Sequence, residues 1–160
     1  MSKNTRHHEE KKYKDPIPTV DLIVRKGNHI LLEIRGHEPF AGVHAFPGGH
    51  MDYGETVEQT ALRELKEETS IEAKIVGILG VYSDPNRDPR GQRVTTVFIA
   101  DWLNGNPVGA DDAESAEWVN EAELRNPSLR LAFDQSLMLR DYFEWRKHPT
   151  ETFWSSKDRS

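Results

Sequence analysis

The sequence predicts an α/β domain, more specifically an α/β/α sandwich in which helices cover both faces of a mixed β-sheet. Three observations favour this class: strand-like segments come first, one amphipathic helix lies between strands, and helical segments come last. The chain has 160 residues, which is enough for one compact domain with its own core. We expect this domain to span residues 16–146, between polar tails at residues 1–15 and 147–160.

The strands are predicted from apolar and β-branched segments between turn signals. In chain order they occupy residues 20–25, 29–35, 71–81, 93–103 and 118–119. Gly27-Asn28 predicts a hairpin turn between the first two strands. An extended piece at residues 45–47 leads to Gly48-Gly49, and two Asp-Pro pairs predict an irregular loop over residues 83–91.

One amphipathic helix is predicted over residues 56–69. Thr56 followed by Gln59 three residues later fits a capping box. The apolar residues that recur every four positions in this helix are Val57, Ala61 and Leu65. Such a stripe is typical of a helix packed against a core. A short helix near residues 121–125 and a closing helix within residues 131–145 complete the predicted elements.

Composition restricts the classes of function. The chain has no cysteine, which excludes disulfides and thiolate chemistry. No apolar run approaches the roughly 20 residues of a membrane helix, and no secretory apolar segment is present at the N-terminus. The formal net charge of −6 argues against broad nucleic-acid binding. These features favour a cytoplasmic enzyme with a small-molecule substrate and no membrane partner.

The most informative pattern is the acidic stripe of the predicted helix. Glu64, Glu67 and Glu68 stand at positions i, i+3 and i+4, where like charges repel each other. At about 100° per residue, this stripe lies at the edge of the buried face. A divalent cation would turn the repulsion into binding, because hard cations prefer carboxylate oxygen. The structural alternative is a solvated helix face without a ligand.

Residues 49–71 resemble the Nudix box, G-x5-E-x7-R-E-U-x-E-E-x-G-U, in which U is a bulky aliphatic residue. Gly49, Glu55 and Arg63 stand in register with the acidic stripe, and only Ser70 departs from the pattern, which has Gly there. The resemblance implies a Nudix-type fold. It also implies hydrolysis of a nucleoside diphosphate linked to another moiety, with Mg²⁺ (or Mn²⁺) as cofactor.

The resemblance carries metal-binding roles onto individual positions. Glu67 and Glu68 are expected as the principal metal ligands, and the carbonyl of Gly48 as a further one. Glu64 is expected either to bind a second metal or to orient the attacking water. Because Gly48 and Gly49 have no Cβ, their backbone can approach a ligand closely.

Three other box positions have supporting roles by the same resemblance. Arg63 is expected to pair with a box carboxylate and hold it in place. Glu55 is expected to anchor the loop to the helix. If the position of Ser70 requires a positive φ, serine costs about 1 kcal/mol there.

Segments 82–91 and 131–134 resemble the corresponding segments of ADP-ribose pyrophosphatases. This resemblance implies that the substrate is ADP-ribose, cleaved to AMP and ribose 5-phosphate. The predicted phosphate or ribose partners are four arginines, Arg35, Arg87, Arg90 and Arg93. In the alternative, the arginines and aspartates of the loop only pair with each other and fix its conformation.

An adenine pocket needs a platform for the base. The loop aromatics that could stack on it are Phe40, Tyr53 and Tyr82, and Tyr82 is the predicted one. His44 and His50 flank the Gly48-Gly49 turn, where each is either a phosphate contact or an ordinary surface histidine.

The general base in this family is often an acidic residue on a loop before a late strand. Here that loop covers residues 111–117, and Glu114 is the first candidate and Asp112 the second. A plain acidic surface loop is the alternative.

Two other functions remain open at this point. One is a Nudix hydrolase for an oxidised nucleoside triphosphate, a dinucleoside polyphosphate or a nucleotide sugar. The other is a sensor that binds a nucleotide without turnover, which the retained box carboxylates disfavour. A homodimer is compatible with the sequence but not required by it.

Overall fold

The computed structural model describes residues 14–108 and 113–157, with side chains from residue 115 onwards in the second segment. The strands are β1 (Ile17–Lys26), β2 (His29–Arg35), β3 (His44–Ala45), β4 (Gly48–His50), β5 (Glu72–Tyr82), β6 (Arg93–Asn104), β7 (Ala113–Asn120) and β8 (Phe153–Trp154). The helices are α1 (Val57–Thr69), α2 (Glu121–Leu124) and α3 (Gln135–Lys147).

The strands form one mixed sheet in the order β3-β2-β1-β6-β5-β8. Strand β1 runs parallel to β6, whereas β1 and β2 form an antiparallel hairpin. That hairpin is paired only next to its turn, because farther along β1 pairs with β4 and β2 pairs with β7. Strand β4 therefore lies against β1, with Gly49 opposite Val20 and Gly48 opposite Asp21.

Two hydrophobic cores lie on opposite faces of this sheet. On one face, Ala61 and Leu65 of α1 pack against Val20, Leu22 and other sheet residues. On the other face, α3 packs its apolar side chains against alternate positions of the same strands. Successive residues of a strand point to opposite faces, so one sheet serves both cores. This arrangement confirms the predicted α/β/α sandwich.

The structure confirms some of the predicted helix boundaries and shifts others. Helix α1 follows Thr56, whose side chain and Gln59 form the predicted capping box. Helix α3 begins at Gln135, later than predicted, because Leu131 bridges to His44 and the amide of Ala132 donates to the carbonyl of His44 at 2.9 Å. Within the described ranges, no helix combines the length and apolar composition needed to cross a membrane.

The C-terminal segment differs from its prediction as a polar tail. Strand β8 pairs in parallel with β5, and Phe153 is buried in the core. Gly80 lies opposite Phe153, and a Cβ at this glycine would overlap the carbonyl oxygen of Phe153. The prediction for residues 147–160 is therefore wrong in this part of the segment. Residues 1–13 and 158–160 of the two predicted tails lie outside the described residues.

Ser70 ends α1 in the left-handed conformation, with φ of 62° and its N–H donating to the carbonyl of Lys66. Only glycine adopts this conformation without strain. We expect Ser70→Gly to stabilise the protein by about 1 kcal/mol and to raise the melting temperature by about 2–4 °C. Thermal unfolding of Ser70→Ala is the control, since alanine keeps the strain. Equal melting temperatures for Ser70→Gly and the unaltered protein would contradict the prediction.

Candidate active site

Arg63 connects the loop before α1 to the acidic stripe of the helix. Its Nε and Nη2 donate to the two carboxylate oxygens of Glu55 at 2.6 and 3.0 Å. Its Nη1 donates to Glu64 at 2.9 Å and to Glu67 at 3.1 Å. The guanidinium holds the pKa of Glu55 well below its usual range, at about 2. The Arg63 guanidinium therefore attaches the loop before α1 to the helix and neutralises part of the negative charge of the acidic stripe.

Glu68 points away from Arg63 into the protein, and its residue is only 7% exposed. Its Oε2 accepts a hydrogen bond from the amide of Gly48 at 3.1 Å. Glu33 of β2 interacts directly with the Glu68 carboxyl group. Burial raises the pKa of both carboxyls, and Glu33 raises the pKa of Glu68 further by charge repulsion, whereas the hydrogen bond from Glu68 lowers the pKa of Glu33. Among the described residues, Glu33 Oε2 has no hydrogen-bond partner.

The two glycines of β4 bring the backbone close to these acids. A Cβ at Gly49 would lie 2.5 to 2.8 Å from the carboxylate atoms of Glu64. A Cβ at Gly48 would overlap the carbonyl oxygen of Val20. Burial raises the pKa of Glu64, although Arg63 opposes that effect. The absence of side chains at both glycines thus leaves room for the acidic groups beside an exposed backbone.

This acidic cluster fits a divalent cation. Within residues 14–108 and 115–157, no three acidic or histidine side chains already converge as a metal-binding group. The reason is that Glu64 and Glu67 turn to Arg63, and Glu68 turns to Gly48. Glu33 nevertheless has a buried carboxylate oxygen without a hydrogen-bond partner among the described residues, and a bound cation would stabilise this oxygen. The donor set is all oxygen, which is what Mg²⁺ and Mn²⁺ bind.

A narrow polar cleft of about 70 Å³ adjoins the acidic cluster. Its lining includes Glu33, Gly48 and Gly49. The predicted arginines all reach it: Arg35, Arg87, Arg90 and Arg93. These residues come from β2, from β6 and from the loop between β5 and β6, so only the folded chain brings them together. A cleft lined by both carboxylates and arginines can bind metal ions and phosphate groups side by side.

The four arginines differ in what they can contribute. Arg87 is engaged in hydrogen bonds within the protein. Its side chain is only 4% exposed, and its guanidinium donates to Asp134 and to Thr95 Oγ1. Three of its five N–H groups are bonded in this way, which disfavours direct contact with phosphate, and its predicted role as a phosphate partner stays a prediction. Arg90 is the most open of the loop arginines and pairs with Asp88 at 2.9 Å.

Arg93 and Arg35 lie deeper in the cleft. Arg93 donates to the carbonyl of Gly91 at 2.9 Å, while its Nε lies 3.5 Å from Asp88 Oδ2 as an ion pair and makes no hydrogen bond among the described residues. Arg35 donates through Nε to the carbonyl of Pro39. Burial and the nearby Arg90 lower the pKa of Arg35. Both arginines therefore keep donor capacity that an anion would satisfy, and their substrate-binding role stays a prediction.

The prediction that Tyr82 stacks on the base is wrong. Tyr82 is the last residue of β5, is fully buried, and donates its hydroxyl to Asp141 at 2.6 Å. Its sequence position at a loop edge concealed its inward direction. Of the other two aromatic candidates, Tyr53 is completely exposed and Phe40 is half-buried.

The two histidines separate as well. His44 pairs with Glu117 at 3.0 Å, and both residues line a larger cavity that shares no lining residue with the arginine cleft. His50 lines the arginine cleft, where burial and the nearby Arg93 and Arg90 lower its pKa.

The predicted general base lies at the edge of the part of the chain that the structure describes. The backbone of Glu114 belongs to β7, but its side chain and the whole of Asp112 lie outside the described residues. Their roles therefore stay predictions.

Sequence reasoning missed two carboxylates of the cleft, Asp21 and Glu33. Each is an acidic residue inside an otherwise apolar strand, and this was the signal that could have found them. Asp21 accepts a hydrogen bond from Gln135 at 3.1 Å, and burial raises the pKa of its carboxyl to about 7.

The buried acids predict how stability depends on pH. Their pKa values are raised in the folded state, so between the ordinary carboxyl range and about 7 the folded chain binds more protons than the unfolded chain. Stability must then fall as pH rises through that window. We expect the melting temperature of the metal-free protein to fall between about pH 5 and pH 8. Glu33→Gln should flatten this fall.

The measurement is thermal unfolding in the presence of a chelator. Glu38→Gln, an exposed acid in the loop after β2, is the matched control and should keep the full pH dependence. A Glu33→Gln variant with the same slope as the control would contradict the assignment of the buried charge.

Comparison with known proteins agrees with this fold and shows the family. The NUDIX domain family matches residues 15–142, and the chain therefore belongs to the NUDIX family. It is 44% identical over 134 residues to a protein of Methanocaldococcus jannaschii named ADP-ribose pyrophosphatase, covering 84% of this chain and 77% of that protein. Hydrolases of this family depend on divalent metal ions.

Two solved structures are also similar. The NUDIX domain of Shewanella oneidensis NrtR, complexed with ADP ribose, superposes with a TM-score of 0.74 at 27% identity, covering 86% of this chain and 93% of that one. A bifunctional NMN adenylyltransferase/ADP ribose pyrophosphatase from Francisella tularensis, complexed with AMP and a Mn ion, gives a TM-score of 0.73 at 27% identity. This chain covers 42% of that larger protein, which covers 83% of this chain.

Proposed function

We propose that this protein hydrolyses the diphosphate bond of ADP-ribose to AMP and ribose 5-phosphate, with Mg²⁺ or Mn²⁺ as cofactor. One observation carries the proposal: the acidic cluster of α1 and β2 meets the arginines of one cleft across the Gly48-Gly49 backbone. The name of the archaeal relative and the ADP ribose bound to the NrtR domain support the choice of substrate.

The residues of the acidic cluster would hold the cation. Glu64, Glu67 and Glu68 supply carboxylates, and the Gly48 carbonyl supplies a neutral oxygen. When bound, the cation neutralises the charge of the diphosphate and lowers the pKa of a coordinated water. Arg63 keeps Glu64 and Glu67 oriented while it stays bonded to Glu55.

The remaining groups bind and orient the diphosphate. Arg35, Arg90 and Arg93 face the space where phosphate oxygens would lie, and their guanidinium groups match phosphate geometry. A water then adds to one phosphorus, the bridging P–O bond breaks, and the released phosphate leaves with the bridging oxygen. A carboxylate must accept the proton of the water, and Glu114 remains the predicted one.

Product analysis in ¹⁸O-labelled water tests the whole proposal. We expect AMP and ribose 5-phosphate in equal amounts, with the label on one of the two products. A panel with an oxidised nucleoside triphosphate, a dinucleoside polyphosphate and a nucleotide sugar provides the comparison. A higher kcat/KM for any of these compounds than for ADP-ribose would overturn the choice of substrate. Binding of ADP-ribose without cleavage in the presence of Mg²⁺ would instead indicate a sensor.

A further inference from the structure

Two phenylalanines next to the cleft adopt a backbone conformation that bulky residues rarely take. Phe40, in the loop between β2 and β3, has φ of 68°, and Phe133, just before α3, has φ of 54°. Left-handed φ values at large side chains are strained and concentrate at functional sites. The two rings pack edge to face, with centroids 4.8 Å apart and an interplanar angle of 62°.

Hydrogen bonds hold the backbone around Phe40 and the residue that follows Phe133. The carbonyl of Phe40 accepts from the amide of Val43, and the preceding Pro39 carbonyl accepts from Arg35 Nε. Asp134, which follows Phe133, binds the guanidinium of Arg87 through both carboxylate oxygens. The Arg87–Asp134 pair therefore ties the backbone next to Phe133 to the loop between β5 and β6.

The aromatic pair borders a cavity of about 600 Å³. Phe40, Phe133, Pro89 and Leu137 supply its apolar wall, and Asp84 and Asn86 supply polar groups. This volume is within the range of roughly 300–1,000 Å³ that is typical of small-molecule sites. Both rings are only half-buried, so aromatic surface remains open to this space.

The cavity adjoins the arginine cleft, because Phe133 and Arg87 line both. The guanidinium carbons of Arg35 and Arg90 lie 5.0 and 5.5 Å from the centroid of the Phe133 ring. The groups expected to bind phosphate thus stand beside the aromatic wall. A nucleotide has the same order of parts: a charged phosphate, a ribose and a flat base.

We propose that Phe40 and Phe133 form the platform on which the nucleobase of the substrate stacks, so that the AMP half lies in this cavity. The inference rests on the proposed function and refines it. It assigns recognition of the base to these two rings instead of Tyr82, and it places the ribose 5-phosphate half on the other side of the cleft.

Binding of the two separate products distinguishes the two halves of the site. The probes are AMP and ribose 5-phosphate, each measured by calorimetry and as an inhibitor of turnover in the presence of Mg²⁺. In Phe133→Ala, we expect the dissociation constant of AMP to rise about tenfold or more, as for loss of one base–aromatic stack. Binding of ribose 5-phosphate should stay unchanged. Phe133→Trp should retain AMP affinity, because it keeps a flat aromatic face.

Two further variants keep the test decisive. Phe133→Leu preserves apolar bulk without a π face, so it should lose AMP affinity even if Phe133→Ala fails to fold. Tyr53→Ala removes the fully exposed aromatic of the β4–α1 loop and should change neither constant. AMP binding that is unaffected in Phe133→Leu, or a loss confined to ribose 5-phosphate, overturns the inference.

The outcomes also separate this inference from the proposed function. A protein that hydrolyses ADP-ribose but binds AMP equally well without the Phe133 ring refutes the platform and leaves the function standing. A protein that binds AMP through Phe133 but does not cleave ADP-ribose refutes the function and supports the platform.

Discussion

Glu68→Gln is expected to abolish most turnover while making the metal-free protein more stable. Glutamine has the same shape, and its amide oxygen can still accept the hydrogen bond that the Gly48 amide gives to Glu68 at 3.1 Å. Its NH₂ group can donate to Glu33, whose Oε2 has no partner among the described residues. The change removes a metal-binding charge, so we expect kcat with Mg²⁺ to fall by roughly 10²–10³-fold.

Stability should move in the opposite direction. Burial and the neighbouring Glu33 raise the pKa of Glu68, so its ionised form costs free energy in the folded state above the ordinary carboxyl pKa. The uncharged variant avoids this cost, and we expect its free energy of unfolding near pH 8 to rise by on the order of 1 kcal/mol. Glu58→Gln, an exposed acid of the same helix, is the control. Turnover of Glu68→Gln within about twofold of the unaltered protein would refute the metal-binding role, since a real loss is far larger.

Gly49→Ala is expected to impair activity with little change in stability. The new Cβ would come within 2.5 to 2.8 Å of the Glu64 carboxylate, which sits at the end of a flexible side chain and can move away. The backbone of Gly49 has no positive φ, so alanine itself causes no strain. Displacement of Glu64 by about 1 Å should lower kcat on the order of a hundredfold.

Two other glycines provide matched comparisons for Gly49→Ala. Gly77→Ala would bring its Cβ to 3.4 Å from Trp145, an ordinary contact, and should leave kcat unchanged. Gly48→Ala would place its Cβ against the carbonyl of Val20, which cannot move without disturbing β1, so we expect loss of stability. Steady-state kinetics and thermal unfolding of the three variants measure this pattern. Full activity in Gly49→Ala would show that Glu64 need not occupy its present position.

Local signals in the sequence predicted the helix with the box and most of the strands. The Thr56–Gln59 capping box and the four-residue apolar repeat located α1 almost to the residue. The Nudix resemblance also predicted the family correctly. These features depend on contacts between residues close in sequence, and such contacts are visible in a linear pattern.

Features that depend on distant pairing were not predictable in this way. Strand β7 is longer than the predicted pair at residues 118–119, because β2 offers a partner along its length. Phe153 looked like part of a tail because its partner strand lies far away in the chain. The buried directions of Tyr82 and Arg87 likewise depend on Asp141 and Asp134, which no local pattern associates with them.

The nitrogens of the Arg63 guanidinium bind different carboxylates, and this has a consequence for how metal ions would enter and leave the site. Nε and Nη2 are bound to Glu55, and only Nη1 contacts Glu64 and Glu67. An arriving ion therefore needs Glu64 and Glu67 to turn away from Nη1, while the loop stays attached to the helix through Glu55. Rotamer changes take picoseconds to nanoseconds at exposed side chains such as that of Glu67, so we expect dehydration of the ion to be the slower event. The protein should accordingly tolerate repeated stripping and reloading without refolding.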